Sequence, residues 1–414
     1  MRLFPVLLFF AGSMCAADLS REDLLLQRAR LHMSNTLSSL PNYTCLQTIE
    51  RSHREAPKRK PALIDVVRIE VALVNGKELF AWPGSGKFLD TEITDLVSGG
   101  AIGNGSFALH AKAVFQSNVP TFTYAGESFR EGRRSLKWTF VVPQIRSGFT
   151  LRVGRHEAVV GYHGAFWIDA VTRDTVRLEV EADDIPPKLL LMAAADAVEY
   201  LPMKIGAEDF LLPSMAELRM TGLDGTENMN RTRFSKCRQY SGESKLSFED
   251  PEPESQAETQ PARDLQAPAG LTLDLAIDSA VSLRGAAVGD PVTARLERNL
   301  KLPDGTVLPR GAFVHGRLTH FRPAYTGRYQ VLAVGMKFFE IESGNTRVHF
   351  DSTLVDLRTP NPAYLPRGPL SKNLSAVRVE NEALLGSIFY VKEYMSSIEK
   401  GLRMIWRTTA EARH

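Results

Sequence analysis

Long apolar runs are missing from this 414-residue chain, apart from a short stretch at its start. Nothing approaches the roughly 20 apolar residues that carry a helix across a bilayer, which excludes a polytopic helical membrane protein. A surplus of one charge is missing too. Lys and Arg total 50 against 48 Asp and Glu, a formal net charge of +2. Proteins that hold nucleic acid by neutralising phosphates carry a basic excess or stripe, so no nucleic-acid partner is expected. Cysteine is scarce, with 3 in the chain, which excludes a disulfide-dense miniprotein. What remains is an ordinary globular composition, 43% hydrophobic and 24% charged, long enough for two or three domains.

Catalytic signatures are equally thin. Pro83-Gly84-Ser85-Gly86-Lys87 hints at a phosphate loop, but Ala81 stands where the first Gly is required and Phe88 where Ser or Thr is. Gly99-Gly100-Ala101-Ile102-Gly103-Asn104-Gly105 lacks the dinucleotide order and reads as a loop. Ser397-Ile398-Glu399-Lys400 has the spacing of a penicillin-binding nucleophile pair without its companion motifs. The 9 His are scattered; His315, His320 and His349 fall on predicted strands, without Cys or carboxylate partners at ligand spacing. Asp169, Asp174, Asp183 and Asp184 could supply an acid and a base, but each sits at a predicted strand end, where turn roles are the simpler reading. Arg133-Arg134 and Lys58-Arg59-Lys60 could touch anionic headgroups and read more simply as solvated turns. The expectation is a chain that is not an enzyme, with no metal and no cofactor.

The start of the chain is informative. Met1-Arg2 is cationic, Leu3 to Ala11 is almost wholly apolar, and small residues lead through Cys15-Ala16-Ala17 to polar Asp18. That order predicts an export signal, residues 1–17, and with it a protein of the periplasm or cell envelope. Cys15 as a lipidation site is disfavoured by the large Met14 before it. Cleavage leaves Cys45 and Cys237, and an even pair in an exported chain reads as a disulfide. Two buried thiols are the alternative.

A proline- and glutamate-rich stretch, residues 249–266, has too little apolar content to offset the cost of ordering. It divides residues 18–248 from 267–414. The first domain opens with a helix from Ser20, carrying Leu24, Leu25, Ala29, Met33 and Leu37 at helical spacing and stopped by Pro41. Period-2 segments follow, the mark of antiparallel strands with one wet face. Their apolar sets are Val67, Ile69 and Val71; Leu136, Trp138 and Phe140; Phe166 and Ile168; and Val176, Leu178 and Val180. Asn75-Gly76 predicts a hairpin turn. Helical pieces are predicted at Phe107 to Phe115 and Pro187 to Ala197. The fold class is mainly β with a few helices (α+β): a curved antiparallel half-barrel with a helical lid, a linker, then a small β-barrel or sandwich.

Two resemblances sharpen this. The segment Ala165 to Val180, with Trp167-Ile168-Asp169 leading through a polar turn into Val176-Arg177-Leu178, resembles a strand-turn-strand of periplasmic lipoprotein-carrier half-barrels. The likeness implies a non-catalytic carrier, the apolar sets above lining a cavity for a lipid or lipoprotein acyl chain. Downstream, Lys301 to Arg317, with the turn Pro309-Arg310-Gly311-Ala312 before Gly316, is similar to the β-barrel domain of TrbI/VirB10-like secretion-system envelope proteins. Val331 to Glu340, Thr346 to Leu354 and the segment around Trp406 are its later predicted strands. The membrane antenna of that family has no match. An envelope scaffold without a cavity, binding an envelope protein partner of unknown identity, is the alternative function; a secreted hydrolase is a more distant one.

Overall fold

The computed structural model describes residues 20–240 and 263–410, apart from 56–59, 86–87, 89–92, 94–95, 97–100, 104–105, 131, 155, 327–328, 360–363, 366–386 and 393. The expected export signal with Cys15, most of the expected linker and most of the Gly-rich run lie outside the described residues.

Helix α1 spans Arg21–Ser39. Its start is fixed reciprocally: the Asp23 amide donates to Ser20 Oγ at 3.1 Å, and the Ser20 amide donates to Asp23 Oδ2 at 3.3 Å. Ala29, Met33 and Leu37 form its buried stripe.

The helix lies against a sheet built from β1 (Tyr43–Arg54), β2 (Ala62–Val74), β3 (Lys77–Ala81), β4 (Thr121–Arg130), β5 (Arg133–Val142), β8 (Gly161–Asp169), β9 (Thr175–Asp183), β10 (Leu191–Ile205), β11 (Glu208–Gly222) and β12 (Glu227–Gln239), while β6 (Thr150–Val153) and β7 (His156–Val159) form a separate hairpin between β5 and β8. The 10 strands run in the order β3-β2-β1-β12-β11-β10-β9-β8-β5-β4. Neighbours in sequence are mostly neighbours in space. The exceptions are β5–β8, which the β6–β7 hairpin separates in sequence, and the β1–β12 seam, where the beginning of the unit meets its end. The disulfide joins Cys45 to Cys237 across that seam, with Cα atoms 4.1 Å apart and a sequence separation of 192. Closing so long a loop removes unfolded-state entropy worth nominally about 5 kcal/mol.

The predicted helix at Pro187 to Ala197 is corrected here. Only Pro187–Leu189 makes a single 3-10 turn, and Leu191 onward is β10. The alanines at 193 to 195 favour a helix in isolation. In place, β10 is hydrogen-bonded to β9 on one side and β11 on the other, and Ala194, Asp196, Val198 and Tyr200 point inward at alternate positions. Pairing on both edges outweighs the local preference.

A second unit follows, with its own core around Phe338 and Trp406, whose rings meet edge-on at 5.1 Å. Its strands are β13 (Arg263–Gln266), β14 (Thr272–Ile277), β15 (Val281–Ser282), β16 (Pro291–Leu296), β17 (Leu300–Lys301), β18 (Val307–Leu308), β19 (Phe313–Thr326), β20 (Tyr329–Ser343), β21 (Thr346–His349), β22 (Asp351–Arg358), β23 (Tyr364–Leu365), β24 (Ser387–Lys392), β25 (Ser397–Ile398) and β26 (Arg403–Thr409). The main sheet runs β13-β21-β20-β19-β16-β14-β26-β22, with β24 also paired to β20 and β23 to β24. The last four residues of the expected linker therefore belong to the fold: β13 lies parallel to β21.

The two units meet at a joint that alternating patterns did not reveal. The Val288 amide donates to Val66 O and the Arg68 amide to Val288 O, both at 2.8 Å. The Arg68 guanidinium reaches both carboxylate oxygens of Asp290 at 2.6 Å and Gly285 O at 2.6 Å. Between these contacts lies Gly289, at φ +98, where a Cβ would fall 2.3 Å from Arg68 O and 2.7 Å from the Trp82 ring. Backbone on one side and an indole on the other leave no room, and an L side chain disfavours that φ as well. Gly289→Ala is expected to leave both cores folded by circular dichroism but to enlarge the radius of gyration in small-angle scattering; unchanged scattering would show that the joint tolerates the methyl group.

Candidate functional site

The concave face of the first sheet gathers the apolar sets expected from the sequence. Val67, Ile69 and Val71 on β2, Leu136, Trp138 and Phe140 on β5, Phe166 and Ile168 on β8, and Leu178 and Val180 on β9 all lie buried in one cluster. Val176 does not join them. The β8–β9 register shifts between Trp167 and Ile168, pairing Ile168 with Thr175, so Thr175 is buried and Val176 is left half-buried. A bulge of this kind cannot be read from alternation.

Aromatic rings fill the face. Phe166 is the hub: Trp138 stacks on it at 5.8 Å, and Phe115 and Phe122 meet it edge-on at 5.0 and 5.9 Å. Phe122 was absent from the expected set, although Phe122 and Tyr124 alternate along β4 and could have signalled it. Trp167 points the other way, its ring under the Arg130 guanidinium and the Lys137 ammonium, each at 4.8 Å.

The cover over the rings is short. Where the sequence predicted a helical piece from Phe107 to Phe115, a single α turn, α2 (Leu109–Ala111), leads into a π-helical turn at Lys112–Gln116. Two carboxylates, the buried Asp196 and the half-buried Glu78, hold this segment. Asp196 Oδ2 accepts from Ser106 Oγ at 2.6 Å and His110 Nε2 at 3.0 Å. Glu78 Oε1 accepts the amides of Ala108 and Leu109 at 2.9 and 3.3 Å, groups that a helix start leaves without intrahelical partners. From α1, Arg30 Nη2 donates to Ser117 O at 2.7 Å while its guanidinium sits 4.9 Å from the Phe122 ring centre. The cover is latched at both ends.

Beneath the latch the site is polar and incompletely paired. Asp196 Oδ1 and the hydroxyls of Tyr43 and Tyr200 have no hydrogen-bond partner among the described residues. Both phenols are pushed upward, first by burial and then by nearby carboxylates: Glu78 for Tyr43, Asp196 and Glu78 for Tyr200. They remain protonated and able to donate.

Ser106, His110 and Asp196 are the residue types of a hydrolytic triad, but their wiring differs. A triad needs the imidazole between nucleophile and carboxylate; here serine and histidine both bond one carboxylate oxygen, and serine donates to the acid directly. The arrangement anchors backbone and does not activate a nucleophile. The other sequence candidates have turn or surface roles: Asp169 Oδ1 accepts the Val171 and Thr172 amides, Asp174 pairs with His32, and Asp183 with His163. His320, mostly buried, is pushed down to about 4, first by burial and then by Arg322. Two clefts flank α1. One, of about 400 Å³, runs past Leu37, Leu40, Lys112 and Gln116 at the cover's end; the other, of about 430 Å³, past His32, Asp174 and Phe210.

No protein-family model matches the chain, and no curated protein does. Solved structures with related architecture include a Vibrio parahaemolyticus domain described as an outer membrane lipoprotein-sorting protein (10% identity, TM-score 0.31, covering 53% of this chain and 94% of that one). A LolA superfamily protein from Nitrosomonas europaea is 9% identical, with TM-score 0.28, 52% of this chain and 94% of that one. The lipoprotein LppX from Mycobacterium tuberculosis is 10% identical, with TM-score 0.21, 54% of this chain and 98% of that one. Similarity this remote carries no functional argument. Among the described residues, no helix is long and apolar enough to cross a membrane.

If the two carboxylates hold the cover, Glu78→Ala and Asp196→Ala should each raise amide hydrogen exchange across residues 106–116 while leaving β1 and β2 protected. Each loses hydrogen bonds to charged acceptors worth about 1.5–3 kcal/mol apiece. Exchange that rises evenly over the whole sheet would instead mean global destabilisation.

Proposed function

We propose that the first unit is a non-catalytic, exported carrier whose half-barrel accepts an apolar ligand, a lipid or the acyl chain of a lipoprotein. One observation carries the reading: an aromatic concave face covered by a short, latched helical segment rather than by a second layer of sheet. This cover is held by apolar contact through Phe107, Val114 and Phe115 and, in addition, by the carboxylates of Glu78 and Asp196, contacts that a polar headgroup can exchange. Among the described residues, Asp196 Oδ1 and the hydroxyls of Tyr43 and Tyr200 are unpaired near these carboxylates, while the rings under the cover suit a hydrocarbon chain. The disulfide fits an oxidising compartment such as the periplasm. The second unit, in this reading, is a TrbI/VirB10-like module that ties the carrier to an envelope protein.

The scaffold reading draws on the same packing, because the rings fill the space under the cover. It also has the edge strands β3 and β4, which end the first sheet and could pair with a partner.

Replacing Trp138 by glutamate places a charge among the rings, where desolvation is costly. The wild type should bind a fluorescent fatty-acyl probe and Trp138→Glu should bind it at least tenfold more weakly, with circular dichroism checking that the variant is folded. A folded wild type that never takes up the probe removes the carrier reading and leaves the scaffold.

A further inference from the structure

The outer face of the second sheet brings together residues that stand far apart in sequence. His315 on β19 lies directly opposite Glu340 on β20, and Glu340 lies opposite His349 on β21. The intervening Val314, Ile341 and Val348 point into the core, so the three polar residues form a row across one face, their Cβ atoms at cross-strand spacing. Glu342 shares that face, two positions along β20. His315 Nε2 meets Glu342 Oε2 at 2.9 Å, and His349 Nδ1 lies 3.4 Å from Glu340 Oε2. Ligand atoms of His315, Glu340 and Glu342 all fall within 4.8 Å of one another, with each residue half-buried.

We propose that His315, Glu340 and Glu342 bind a divalent transition-metal ion, zinc in the first instance, with His349 positioning Glu340. One imidazole nitrogen and two carboxylates are a donor set that zinc accepts, and three protein ligands leave a position for water or for a donor from a partner chain. On a tetrahedral zinc the donor atoms stand roughly 3.4 Å apart, as Zn–N and Zn–O bonds of about 2.1 Å require. Small side-chain rotations close the present group to that size. The ion also offsets the repulsion of two carboxylates held on one face. Arg347 is the obvious competitor, being opposite Glu342 in register, yet Glu342 is turned to His315. His349 beside Glu340 then plays the part of the outer partner that orients a ligating carboxylate.

A second histidine shows why composition alone is not enough. His163 also has two carboxylates, but Asp183 faces its Nδ1 at 2.8 Å and Glu181 its Nε2 at 3.6 Å. They lie on opposite ring edges and cannot share an ion with one nitrogen. His163→Ala is therefore the internal control.

The test uses the untagged full chain, stripped with chelator, then titrated with zinc chloride by calorimetry and dialysed for metal analysis. One zinc per chain is expected, and cobalt in its place should give the intense visible bands of a tetrahedral site. His315→Ala and Glu342→Gln should abolish stoichiometric binding. His349→Gln should weaken it about tenfold, and His163→Ala should leave it unchanged. Circular dichroism confirms that each variant is folded. Absence of stoichiometric zinc on the wild type, or equal binding by the His315→Ala/Glu342→Gln double variant, would overturn the proposal.

Discussion

A wide sheet with one apolar face has to bury that face, and the described residues include a single long helix with which to do so. Helix α1 covers only part of the concave side through Ala29, Met33 and Leu37. The remaining rings depend on the segment from Ser106 to Gln116, which is too short to be stable as a helix by itself. It stays because Glu78 and Asp196 satisfy its polar groups from below and Arg30 ties its far end to α1. The distinctive features of the site follow: a buried and a half-buried carboxylate beside an aromatic core, two phenols unpaired among the described residues, and a cleft where the cover meets the helix.

That arrangement gives the packed interior two meanings. In a scaffold it is simply the core. In a carrier it is the closed form, in which the rings occupy each other's contacts until a ligand replaces them. Such an exchange costs little in apolar contact, since hydrocarbon replaces hydrocarbon, and the polar latch then sets the energetic difference between open and closed. In a carrier, the disulfide at the β1–β12 seam would keep those two strands together while the cover moved.

Much of this was legible in the sequence. Period-2 apolar sets located β2, β5, β8 and β9, and setting aside Cys15 with the expected export signal left Cys45 and Cys237, the pair that the disulfide joins. What escaped was set by partners distant along the chain. The alanines of β10 favour a helix until β9 and β11 flank them. Val176 keeps the alternation, but a bulge gives its place to Thr175. Glu78, His110 and Asp196 belong to no motif, since the latch joins residues 30 and 86 positions apart. The row from His315 to His349 likewise exists only through strand register, and the joint at Gly289 only through a contact between units.

A carrier half-barrel must hold a ligand in the cell, and native mass spectrometry of protein purified gently from its own host addresses that directly. A population heavier than the bare chain by one lipid or acyl-chain mass, released on mild activation and absent from Trp138→Glu, is the predicted result. Bare chain alone, from wild type made with its envelope intact, would contradict it.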